Sequence, residues 1–144
     1  MTVICWDGTT LAADSSLTLA GVRFSCEKIE RFPDGSLFGA AGEGDDGLRL
    51  ADFLKKGGKG RKPKCDTVHA LHILTDGRVH LYALSARPER ITSPFAAIGT
   101  GSKFAMAIMW AGGDAAKACE AAIALDKSCS APVQTLQPCK QPPA

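Results

Sequence analysis

Thr2 is the residue on which any covalent chemistry in this chain would centre. It follows the initiator methionine, and a small second residue favours removal of Met1. Freed in this way, Thr2 carries a hydroxyl nucleophile and an α-amine with an ordinary pKa of about 7.7–8.0. Such an amine takes the hydroxyl proton near neutral pH, so nucleophile and general base arrive on one residue. Many chains begin Met-Thr without that use, so the reading needs partners. Lys28 is one candidate. A lysine held near the hydroxyl stabilises negative charge on the oxygen and helps keep the α-amine neutral. The plainer reading is a solvated strand lysine, since Cys26, Lys28 and Glu30 alternate with Glu27, Ile29 and Arg31. Gly42 is another candidate, in a Gly-rich run ahead of an expected helix. Backbone N–H groups at such a turn lack intrahelical partners and suit a developing oxyanion. The same glycines also serve simply to permit a tight strand-to-helix turn. His69, His72 and His80 would lie near one another on two paired strands. No carboxylate or cysteine stands beside them at ligand spacing, so they are read as structural, and neither a metal nor a cofactor is expected.

The elements that have to position these groups follow from turn and period signals. Apolar residues on either side of Asp7-Gly8 predict a hairpin that ends in Asp14. Residues 15–21 read as a loop, and 22–32 with 36–41 as a second hairpin around Pro33-Asp34-Gly35. A helix is predicted over 42–56, with Asp45 and Asp46 at its positive end and Leu48, Ala51 and Leu54 at three-residue spacing. Residues 57–64 form a basic loop whose cations lack the Gly-Lys-Ser/Thr ending of a phosphate loop. A third hairpin, 68–74 and 78–84, is apolar on both faces, as in a sheet covered on each side. A short strand at 95–98 runs into Gly99-Thr100-Gly101 and a buried helix over 102–111. Asp114 is expected to cap a further helix over 115–125. A last edge strand is placed at 132–136, followed by a loose Pro-rich tail, 137–144. Periodicity alone reaches the α+β class.

Taken in order, Thr2, Asp14 closing the first hairpin, Lys28 before the second, the Ala41-Gly42 turn, the Gly99-Thr100-Gly101-Ser102 run and the Asp126-Lys127-Ser128-Cys129 loop form a set. That set resembles the proteasome β-subunits and the bacterial HslV peptidases, which are N-terminal-nucleophile hydrolases. No single motif is specific, but the ordered set is, and it spans the chain from Thr2 to about Val133. The resemblance implies a four-layer αββα sandwich, with a shortened outer helix layer because 57–64 leave no room for a second long helix. It implies a threonine peptidase. Thr2 Oγ1 attacks the carbonyl, its own amine handles the proton and the Gly42 N–H binds the oxyanion. Asp14 and Lys28 form a charged pair beneath the nucleophile, and Thr100 and Asp126 orient the amine and a water. Thr100 stands where serine is usual and keeps the hydroxyl. Cys129 stands where Ser or Thr is usual, and a thiol is a poorer hydrogen-bond partner. Residues 15–21 are implied to line a substrate channel. The implied partners are a peptide or unfolded-protein substrate, other copies of the chain in a ring, and an ATP-dependent unfoldase. Two further readings stay open: a non-catalytic ring-forming subunit that keeps the fold, and a small-molecule amidase.

Bulk properties agree with one domain over 1–136 and a short tail. A chain of 144 residues buries roughly two-thirds of its unfolded surface. A net charge of +2 gives no basic face for nucleic acid. No apolar run approaches the ~20 residues of a membrane span. No signal-peptide pattern opens the chain, so a cytoplasmic location is expected. The six cysteines show no Cys-x-x-Cys spacing and are expected to be free and mostly buried.

Overall fold

The computed structural model describes residues 2–43 and 45–139. Its chain order is β1 (Ile4–Trp6), β2 (Leu11–Ala13), β3 (Ser16–Leu19), β4 (Val22–Ser25), β5 (Ile29–Arg31), β6 (Leu37–Ala41) and α1 (Asp46–Lys55). There follow β7 (His69–Ile73), β8 (Val79–Ala83), β9 (Pro88–Ile91), β10 (Ala96–Ile98), α2 (Ser102–Trp110), α3 (Ala115–Leu125) and β11 (Gln134–Leu136). The class is α+β, as expected. One sheet runs β10-β1-β2-β11, a second β5-β6-β7-β8-β9, and β3-β4 form a separate ribbon.

Alternation along β1 and β2 distributes their side chains between two cores. Ile4, Trp6, Leu11 and Ala13 point to one face, with Ala96 and Ile98 of β10, and meet Ile29, Leu37, Leu71, Ile73 and Val79 of the five-stranded sheet. Cys5 and Ala12 point to the other face, where α2 and α3 lay Ala105, Met109, Ala115, Ala118, Cys119 and Ala122 against them. The small residues at this second contact let the helix pair lie close on the sheet. On the far side of the five-stranded sheet, Phe38, Ala70 and Tyr82 pack against Leu50 and Ala51 of α1. Gly39 holds the two sheets together by lacking a side chain: a Cβ there would come within 2.9 Å of Ile29 and 3.0 Å of Ile4.

Four expectations are corrected. Residues 15–21 are not a loop, and 22–32 are not one strand. Ser16–Leu19 and Val22–Ser25 pair instead, Leu17 opposite Phe24 and Leu19 opposite Val22. Ala20 and Gly21 turn the chain with φ of 51° and 78°, the positive values that a two-residue hairpin turn takes. Glycine, asparagine and aspartate advertise such a turn in a sequence, and Ala20 hides half of it. The strand carrying Lys28 is therefore broken at 26–28, and Lys28 lies in a connecting segment ahead of β5. The helix predicted from Gly42 begins at Asp46, whose Oδ2 accepts the Thr67 N–H at 3.2 Å and the Thr67 hydroxyl at 2.9 Å. β9 had no counterpart in the sequence reading. It starts with a proline and lies at a sheet edge, where a missing donor is harmless.

Other expectations match. The Asp7 turn, the hairpin of β7 and β8, and α3 stand where they were placed, with Asp114 Oδ1 accepting the Lys117 N–H at 2.8 Å. β11 is an edge strand on β2. Of the predicted tail, Gln137 is tied down: its carbonyl accepts a bond from Arg31 at 2.6 Å. Residues 140–144 lie outside the described ones. All six cysteines are unbridged. No helix among the described residues is long and apolar enough to cross a membrane.

Candidate active site

β1 begins two residues after Thr2, so the all-buried first hairpin dictates where Thr2 stands. Its carbonyl accepts the Gly101 N–H at 3.2 Å. Gly99 lies hard against it: a Cβ at Gly99 would sit 2.1 Å from the Thr2 oxygen, and the Gly99 φ is +94°. Both the space and the backbone conformation therefore demand glycine. The Thr2 backbone nitrogen, which becomes the α-amine when Met1 is removed, is 3.4 Å from Thr100 Oγ1.

Asp14 follows β2 directly and is fully buried. A carboxylate in that position needs partners, and Asp14 has four. Oδ1 accepts from the Val3 N–H at 3.0 Å and from Lys28 Nζ at 2.9 Å. Oδ2 accepts from the Ser16 N–H at 3.0 Å and the Ser130 N–H at 3.1 Å. The Lys28 ammonium, its side chain only 7% exposed, also donates to Thr2 Oγ1 at 3.0 Å. The order is carboxylate, ammonium, hydroxyl. A cation so held favours the threonine alkoxide over the alcohol and repels a proton from the neighbouring amine.

A second group approaches Thr2 from the end of α3. Asp126 Oδ1 accepts from its own turn, the Ser128 N–H at 2.9 Å and the Ser128 hydroxyl at 2.5 Å, the local wiring an aspartate makes two residues on. Ser128 Oγ lies 3.3 Å from Thr100 Oγ1. The Ser128 hydroxyl foremost, then the Thr100 hydroxyl and the Ser128 amide, hold the Asp126 carboxyl well below the usual carboxylate range. Cys129 is buried, and its Sγ reaches Asp126 Oδ2 only at 3.6 Å. Burial first, then the negative charges of Asp14 and Asp126, push its thiol up to about 12. Cys129 is therefore a neutral thiol and a poor nucleophile.

Hydrogen bonds thus gather Thr2, Asp14, Lys28, Thr100, Asp126 and Cys129 into one site. Gly42, the seventh predicted residue, stands apart from these bonds. It lies one residue past β6, exposed, where a Cβ would come within 2.8 Å of the Thr67 carbonyl. Ser128 stood in the predicted Asp126 loop without a role of its own, because the sequence reading looked to Cys129 for the side-chain partner. The signal was a hydroxyl two residues after an aspartate, the spacing of a side-chain-closed turn. Gly99 was read only as part of the run into α2; its own reason is the Thr2 carbonyl. Among the described residues no group of His, Cys, Asp and Glu is gathered to hold a metal.

No protein-family model matches the chain, and no curated protein matches it in sequence. Solved structures do match its fold. HslV from Trypanosoma brucei aligns with a TM-score of 0.69 at 20% identity, over 95% of this chain and 99% of that one. Thiobacillus denitrificans BPH aligns with a TM-score of 0.66 at 20% identity, over 94% of this chain and 95% of that one. The same protein in complex with epoxomicin aligns equally well, with 96% of its chain covered. The likeness to HslV and the proteasome β-subunits read from the ordered motifs thus holds across nearly the whole chain at the level of the fold.

Proposed function

We propose that this chain, once Met1 is removed, is an N-terminal threonine peptidase of the HslV and proteasome type. The observation that carries the reading is the Lys28 ammonium, 2.9 Å from a buried carboxylate and 3.0 Å from the Thr2 hydroxyl. Thr2 Oγ1 bonds to the substrate carbonyl carbon while its proton passes to the α-amine, and the carbonyl oxygen becomes an oxyanion facing the Gly42 N–H. Collapse breaks the C–N bond, and the leaving amine takes the proton back. Water then hydrolyses the threonine ester, with the α-amine again as base. Asp126, Ser128 and Thr100 orient that amine.

The three cores are read as the seams of a four-layer αββα sandwich whose outer layer holds α1 alone. The assembly reading is a homo-oligomeric ring that encloses peptide or unfolded-protein substrates and takes them from an ATP-dependent unfoldase in the cytoplasm; of this, the contact with other copies is supported by the β3-β4 ribbon. Leu17, Leu19, Val22 and Phe24 share one face of it and stay about half or more exposed. Apolar faces of that kind mark contact surfaces. The test is hydrolysis of fluorogenic peptides by protein with a free Thr2, and covalent capture at residue 2 by a threonine-directed electrophile such as epoxomicin. Thr2→Ala is expected to be silent, Thr2→Ser partly active, and any residue left ahead of Thr2 to abolish turnover. Hydrolysis surviving in Thr2→Ala, or capture at Cys129, would overturn the reading.

A further inference from the structure

Gln134 occupies a position where alternation calls for an apolar side chain. It pairs with Ala13 at the start of β11 and shares a face with Leu136, which packs into the core between the two sheets. A polar side chain there has to be matched. Its amide is fully engaged. Oε1 accepts the Lys28 backbone N–H at 3.0 Å. The two hydrogens on Nε2 are shared among three acceptors, the Cys26 carbonyl at 2.6 Å, the Ser15 hydroxyl at 2.9 Å and the Asp14 carbonyl at 3.1 Å. The Ser15 hydroxyl spends its own proton on the Pro132 carbonyl, at 2.6 Å, so it receives from Gln134. Flipping the amide would face oxygen to three acceptors and NH2 to a donor, so the network itself assigns the orientation.

One side chain therefore spans the two segments that carry the charged pair: the end of β2 with Asp14, and the non-strand segment 26–28 with Lys28. Lys28 lies outside any strand, so no sheet ladder holds its main chain in register. We propose that Gln134 is the positioning residue that sets Lys28 against Asp14, and through Lys28 the charge at Thr2 Oγ1. The inference rests on the reading of Thr2 and Lys28 given above. Misplacing a catalytic group by about 1 Å costs on the order of a hundredfold in rate.

The test compares wild type, Gln134→Leu and Gln134→Glu, with Thr135→Ala as a neighbouring control. The isosteric Glu variant keeps an acceptor for the Lys28 N–H and puts oxygen where Nε2 was. Two readouts are taken. In the peptide assay kcat is expected to fall by about tenfold to a hundredfold in both variants, with KM changed by less than about threefold. Independently of activity, lysines are reductively methylated well below the melting temperature and read by mass spectrometry. Lys28, nearly buried and bonded to Asp14 and Thr2, is expected to react slowly in wild type and markedly faster in both variants, while Lys55 is unchanged. Unchanged Lys28 protection in the folded variants overturns the proposal, even where the melting temperature has dropped. If Gln134→Leu does not fold, Gln134→Glu decides by the same readouts. A wild type without peptidase activity, but with Lys28 deprotected in the variants, overturns the peptidase reading and supports the positioning role.

Discussion

Two clusters in this protein hold a similar inventory, an aspartate, a hydroxyl and a nitrogen-bearing side chain, and are wired in different orders. In the first, Asp14 touches Lys28 and Lys28 touches the Thr2 hydroxyl. In the second, Asp34 touches the Ser36 hydroxyl at 2.5 Å and Ser36 touches His72 Nε2 at 2.9 Å. The Ser36 proton is committed to Asp34, so His72 donates to Ser36 Oγ and cannot act as its base. Both groups are sealed, Ser36 at 1% exposure and His72 at 6%, with His72 against the rings of Phe32 and Phe38. In the second cluster the hydroxyl stands between the carboxylate and the imidazole, and its proton already points to the carboxylate. The second cluster closes the turn before β6 and fills a core. Residue types do not distinguish the two; the order of contacts and the access of the hydroxyl do.

The largest expected contrast comes from removing each nitrogen-bearing side chain. Lys28→Ala should lower peptide hydrolysis on the order of a hundredfold or more, as for a lost preorganised charge at a developing oxyanion. It also leaves buried Asp14 without its cation, a loss of about 3–5 kcal/mol in stability, so activity is read on protein shown to be folded. His72→Gln should leave the rate within about twofold, since its site is closed to substrate. A large rate loss in His72→Gln would erase the distinction between the clusters.

Glycines beside the two clusters sharpen it further. Gly99→Ala drives a methyl to within 2.1 Å of the Thr2 carbonyl oxygen and should cost about a hundredfold by displacing the nucleophile. Gly35→Ala is also forced at a φ of +91°, but its Cβ meets only a methyl of Thr75 at 3.6 Å. It should cost about 1–2 kcal/mol in stability and nothing in rate. Equal rate losses would show that backbone strain, not the Thr2 contact, is at work.

Ser128→Ala is expected to have a smaller effect, of about tenfold, as for one positioning hydrogen bond. It removes the foremost bond that holds the Asp126 carboxyl low, so that carboxyl should titrate at a higher pH, as read by NMR. Cys129→Ser, which restores a hydroxyl one residue later, should change the rate less than Ser128→Ala does.

The smallest effect is one of stability alone. Burial foremost pushes His72 down to about 4, with Asp34 opposing and His80 assisting. The unfolded chain takes up this proton at an ordinary value near 6.5, before the folded one does. His72 therefore supports the fold fully above that pH and loses its contribution as pH falls toward 4. His80 is shifted the same way, by burial first and then by Arg78. Chemical denaturation between pH 7 and 4 should show declining stability in wild type and a flatter profile in His72→Gln.

Much of this was legible in the linear chain because its signals are local. Asp7-Gly8 and Asp76-Gly77 mark turns, Asp114 caps a helix by accepting the N–H three residues ahead, and apolar runs on either side of those turns place β1, β7 and β8. The five residues that meet around Thr2 were legible too, in their order if not their geometry. What only the tertiary structure decided lies where contacts span the chain. Ala20 carries no mark of the positive φ it adopts, so the β3-β4 ribbon and the break at 26–28 were hidden. Lys28 reads as an ordinary strand lysine until Asp14 and Thr2 are folded onto it. Gln134 holds Lys28 from 106 residues away, and Thr100 meets Thr2 across 98. Turn and period signals act over a few residues, whereas the hydrogen bonds that make this site exist only after two sheets and a helix pair have packed and removed the competing water.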